Sequence, residues 1–298
     1  MKINSQLGAS LALFLSTALW GLFWLPLRQI ESAGISGIWA VYGINVVPLI
    51  ALLPLVLYRR QWFFKNLKTK CLIGIAMGGG MALYAVALLY TTILQTTLLF
   101  YMSPIWATLL SLLILKEKIS ITRWLAIAVG FLGIVLILSG ADISQTNTGL
   151  NRGDFYALLS GLLWGWGTVL IKGSADIPVI DIVPSQYFFG TVISIGLLAI
   201  STSTAAPVFA QWLHALPVII GFYVLIILPT LFICTRCAQI LSPGRVCLLM
   251  MSEVLVAGIS APILAGEKIE IIEWVAGLLI LSATLIEVLS TPKTSSPD

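Results

Sequence analysis

The chain has 298 residues, of which 59% are hydrophobic and only 9% charged, and its mean hydropathy is +1.05. A soluble domain carries about 25% charged residues and has no interior able to hide so much apolar surface, so the composition excludes a soluble globular protein. The net charge of +4 comes from cations spaced between apolar stretches and not from one basic face, which excludes a nucleic-acid footprint.

A helix that crosses a bilayer needs about 20 mainly apolar residues. Such windows fall at 8–27, 37–57, 72–92, 96–115, 124–140, 155–171, 182–200, 217–234, 246–265 and 274–290. The first, which contains Trp20, Trp24 and Pro26, is longer than a signal-peptide core and is read as a retained span. Backbone polar groups must be satisfied inside lipid, and the alternation of a β-barrel is absent, so all ten windows are expected to be helices.

Orientation follows from Lys and Arg. With the N-terminus in the cytoplasm, Arg28, Arg152 and Lys268 fall outside and the other 13 of the 16 Lys and Arg residues fall inside. The expected topology is therefore ten spans in a lipid bilayer with both termini cytoplasmic.

The chain repeats itself. Glu117-Lys118-Ile119 with Trp124 recurs as Glu267-Lys268-Ile269 with Trp274, and Ser16 to Gly21 recurs as Ser160 to Gly165, each closing on Leu-Trp-Gly. Spans one to five thus match spans six to ten, with a junction in the polar stretch 141–152 and expected halves at 1–145 and 146–298. Five is odd, so the second copy must enter the membrane from the opposite face. The expected fold is all-α and integral to the membrane: ten transmembrane helices as two inverted five-helix repeats, with a pathway between them.

Glu253 is the deepest acid. It lies seven residues into its window, roughly 10 Å along the helix. A carboxylate there costs about 3 kcal/mol even on lenient scales. Two roles stand open: contact with a substrate ammonium or carriage of a proton, and a protonated carboxyl bonded to a neighbouring helix. Glu287, near the end of the last span, reads as snorkelling to the interface. The repeat partner of Glu253 is Ser103, followed by Pro104, which can kink the fourth span. Trp20, Trp24 and Trp164 are candidate cavity walls or packing residues. Tyr84, Gln95, Phe100, Tyr101 and Thr168 add polar and aromatic groups nearby.

No catalytic or metal-binding set stands out. His214 is placed in an outside loop, Cys234 and Cys237 read as small packing residues, and there is no phosphate-binding loop for ATP. The chain is expected to be neither an enzyme nor cofactor-dependent.

The paired Leu-Trp-Gly motifs, Ser103-Pro104, Gly130-x-x-Gly133, Lys116-Glu117-Lys118 and Gly266-Glu267-Lys268 are carried in order along nearly the whole chain. In this the sequence resembles the drug/metabolite transporter superfamily, in particular its EamA-type members of ten spans. That family commonly has Glu-Pro in the ninth span; here the acid is Glu253 and Val254 stands in place of the proline. The resemblance implies a secondary transporter that exports a small organic metabolite, amino-acid-like or amphipathic, across the bacterial inner membrane. A multidrug-type exporter and a non-transporting receptor or scaffold remain as alternatives, and proton coupling is a separate question.

Overall fold

The computed structural model describes residues 6–35, 37–60, 65–91, 96, 99–140, 151–200, 205–265 and 271–289. Every regular element among them is helical. In chain order these are α1 (Gln6–Ser32), α2 (Ile38–Tyr58), α3 (Leu67–Tyr90), α4 (Ser103–Leu115), α5 (Ile121–Gly140), α6 (Arg152–Lys172), α7 (Val179–Ile200), α8 (Phe209–Ile240), α9 in two pieces (Pro243–Leu249 and Ser252–Ala265) and α10 (Ile271–Leu289). They fall on the ten apolar windows.

Several helices depart from a plain rod. α1 narrows to a 3-10 turn at Leu19–Leu22. α8 begins eight residues before its apolar window, so His214 lies on a helix and not in a loop. Its Ile219–Ile227 stretch is π-helical and ends just before Pro229, which has no N–H to continue an α ladder. α9 is interrupted at Met250–Met251 although no proline stands there. Bonds to the third preceding residue (Met251 to Leu248, Glu253 to Met250, Val254 to Met251) tighten the chain through this break.

Three counterpart pairs of helices from the two halves run antiparallel against each other. In α2 and α7, Arg59 meets Asp181 while Asn45 meets Gly190. In α4 and α9, Thr108 meets Gly244 while Tyr101 meets Glu253. In α5 and α10, Arg123 meets Glu287 while Gly130 meets Ala283. This is what an inverted repeat requires: each pair crosses a pseudo-two-fold axis lying in the membrane plane.

Glycine permits the closest crossings. A Cβ on Gly78 of α3 would run into the Gln186 carbonyl of α7, and one on Gly165 of α6 would lie 2.9 Å from the Ala107 nitrogen of α4. Small residues bring backbones into contact where lipid supplies no hydrophobic force to press helices together. The outer surface carries Leu15, Leu113, Phe155, Ile195, Leu225 and Leu278, all exposed as lipid-facing side chains are.

Candidate functional site

The breaks in α4 and α9 are counterparts. α4 has a turn at Tyr101–Met102 before its main helix starts at Ser103, and α9 has one at Met250–Met251 before Ser252. Pro104 sits in the first turn of the helix from Ser103, where a missing N–H costs nothing, so the interruption lies just ahead of the proline.

The two breaks face each other. The Tyr101 hydroxyl donates to Glu253 Oε1 across the axis. Tyr101 is buried and Glu253 partly so. The Ser252 hydroxyl donates to the Phe14 carbonyl at 2.9 Å and lies 2.9 Å from Thr17 Oγ1, which pins the start of the second α9 piece to α1.

From Tyr101 an aromatic chain runs through the middle of the bundle. Phe100 lies 5.3 Å from Tyr101, 4.8 Å from Tyr84 and 6.1 Å from Trp164, between ring centroids. Trp164 meets Trp20 edge to face at 5.8 Å. The indole N–H groups are satisfied: Trp20 donates to Thr230 Oγ1 at 2.7 Å and Trp164 to the Met250 sulfur at 3.3 Å. Edge-to-face packing of this kind adds about 1 kcal/mol per pair beyond burial.

Six sequence candidates, Trp20, Tyr84, Phe100, Tyr101, Trp164 and Glu253, are therefore one connected cluster. Ser103 and Thr168 lie beside it and share Cys247 as a neighbour; Thr168 Oγ1 is 3.9 Å from the Cys247 sulfur and donates to the Gly165 carbonyl at 2.7 Å. Ser103 thus borders Cys247, and it is Tyr101 that bonds Glu253. Gln95 and the side chain of Trp24 lie outside the described residues.

Two features escaped the sequence reading. The first is a polar group on the other side of Trp164. Asn45, Gln186 and Tyr187 line a void of about 10 Å³ together with Trp164, Met77 and Leu231. That is room for about one water. Gln186 Oε1 and the Tyr187 hydroxyl are buried there without a partner among the described residues. An Asn and a Gln inside apolar spans are the sequence signal for this group. The second is Glu287, which does not snorkel. It is 3% exposed and paired with Arg123 at 3.2 Å, because α5 packs along α10.

The fold and site define an all-helical, multi-pass membrane protein built of two inverted halves around a buried aromatic and polar seam. The family model described as "EamA-like transporter family" matches residues 7–139 and again 151–289, and the chain belongs to that family. It is a membrane transporter and not an enzyme. A protein of Bacillus subtilis (strain 168) described as "Uncharacterized transporter YoaV" is 24% identical over 203 residues, 66% of this chain and 68% of that one. A crystal structure of a protein 18% identical in sequence superposes with a TM-score of 0.73, covering 97% of this chain and 99% of the other.

Proposed function

We propose that the chain is a secondary transporter that exports a small organic metabolite, amino-acid-like or amphipathic, across the bacterial inner membrane with both termini cytoplasmic. Residues 1–145 and 146–298 act as the two units that rock against each other. The cluster from Trp20 to Glu253 is the substrate and coupling site. The observation that carries this reading is the meeting of two counterpart helix breaks, in α4 and α9, through the Tyr101–Glu253 hydrogen bond.

Broken helices at mid-membrane expose polar groups where an unbroken helix has none to offer. Aromatic faces bind apolar or aromatic cargo, and Glu253 accepts a donor from it once Tyr101 lets go. The void beside Trp164 holds about one water, so cargo enters only after the halves separate. Exchange of the Tyr101 bond for a substrate bond gives that separation a free-energy source.

Flux in proteoliposomes tests the reading. Saturable movement of amino acids or amphipathic cations, lost on substitution of the aromatic cluster, supports it. Absence of flux for both classes with folded protein in the vesicles sinks it.

A further inference from the structure

At the end of the bundle where α4 passes to α5 and α8 to α9, a cavity of about 290 Å³ opens between the two halves. Its first-half wall carries Glu117, Lys118 and Arg123, and its second-half wall Lys172, Arg245 and Glu287. Arg123 is matched by Glu287 at 3.2 Å. Lys172 donates to the Gln239 and Ile240 carbonyls at 3.3 and 2.7 Å, and the nearby acid whose charge acts on it is Glu117. Arg245 is only 4% exposed. Glu117 Oε2 is buried and has no hydrogen-bond partner among the described residues.

Membrane topology accounts for cations in loops, as at exposed Lys65 and Lys68. It does not account for cations drawn into a seam between helices, where desolvation is costly unless compensated. Among the described residues of the lining, four cations against two acids leave an excess that attracts an anion, and the buried Glu117 Oε2 is open to a hydrogen-bond donor.

We propose that this cavity is a docking site for small carboxylate-bearing molecules, with the carboxylate toward Arg245 and Lys172 and a neighbouring N–H or O–H of the ligand toward Glu117. It is separate from the aromatic cluster: Arg245 and Glu253 are eight residues apart, about 12 Å at the helical rise. Its role as the first stop for cargo rests on the transport reading; the binding itself does not. The same mouth disfavours organic cations, since its net positive charge lowers their local concentration.

Thermal unfolding of the purified full-length protein in detergent measures this with four probes: alanine, propionate, tetramethylammonium and phosphatidylglycerol. Alanine is expected to stabilise at the lowest concentration, propionate at a higher one, and tetramethylammonium not at all. Lys118→Gln with Lys172→Gln raises the half-saturating alanine concentration about tenfold. Exposed Lys118→Gln alone, which cannot unsettle the core, raises it about threefold. Glu117→Gln abolishes the preference for alanine over propionate, since it removes the acceptor for the ammonium while propionate binds at least as well as before. Equal response of wild type and the Lys118 variants, stabilisation by tetramethylammonium, or stabilisation by phosphatidylglycerol alone overturns the proposal. Charge-dependent binding without flux supports it while sinking the transport reading, whereas flux without charge-dependent binding overturns it and spares the transport reading.

Discussion

Trp20 and Trp164, the tryptophans of the duplicated Leu-Trp-Gly, meet edge to face with their ring centroids 5.8 Å apart. Two copies of one motif that touch must straddle the axis relating the two halves. The contact therefore marks the axis and places the aromatic cluster on it. Any movement of the halves changes this pair directly. Trp164→Phe keeps a ring in place but removes the N–H that bonds the Met250 sulfur. Folding is expected to lose about 1 kcal/mol, with a larger change in substrate KM than in the unfolding midpoint. A variant with unaltered KM for every transported substrate removes Trp164 from the site.

Tyr101 and Glu253 form a closed pair, so substitutions at either act through the other. Glu253→Gln keeps size and hydrogen bonding while removing titration. If Glu253 carries the coupling proton, flux in this variant loses its pH dependence but persists at a single level. Tyr101→Phe deprives the carboxyl of its donor and is expected to move the pH profile without flattening it. A wild-type profile in Glu253→Gln rules out the coupling role and leaves Glu253 as a substrate contact or a helix–helix bond.

The Arg123–Glu287 pair tests how the α5–α10 seam is held. Glu287→Gln leaves Arg123 without its partner and Arg245 beside a neutral amide. The expected loss is about 3 kcal/mol, because a largely buried guanidinium is stranded. Arg123→Met with Glu287→Leu is expected to recover most of it. Thermal melts of the single and double variants read the coupling; simple additivity shows the two side chains to be independent.

Glycine crossings separate packing from propensity. Gly78→Ala forces a methyl group into the Gln186 carbonyl, while Gly196→Ala and Gly221→Ala meet no atom within 4 Å. The first is expected to lower the unfolding midpoint sharply or to stop accumulation in the membrane. The other two are expected to be neutral or stabilising by up to about 1 kcal/mol, from helix propensity alone. Equal behaviour of all three means that the α3–α7 crossing is not as tight as the backbone distances require.

The ten spans were legible because lipid imposes one simple demand, length of apolar run. The repeat implied that the second half is inverted, and the antiparallel crossings marked by Arg123 with Glu287 and Tyr101 with Glu253 agree with that. What stayed hidden was set by tertiary contact. The break at Met250–Met251 has no proline to announce it; the Ser252 bonds to α1 hold the chain beyond it. Glu287 sits where snorkelling is easy, and only the approach of α5 supplies Arg123. Asn45, Gln186 and Tyr187 are uncharged, and α2 and α7 bring them together against Trp164 of α6 only in the folded bundle.

The antiparallel pairing of counterpart helices has a consequence for the two mouths. In sequence, the repeat equivalents of the residues lining this cavity carry a different set of charges. Lys118 and Glu117 correspond to Lys268 and Glu267, Lys172 to Arg28, Arg123 to Glu273 and Arg245 to Gln95. The equivalents comprise two cations and two acids where this mouth has four cations and two acids. The architecture is symmetric, but its electrostatics are not. If the two mouths alternate as the proposed rocking requires, a carboxylate meets an excess of cations at one of them and a balanced set at the other, so a symmetric frame need not load equally from both sides.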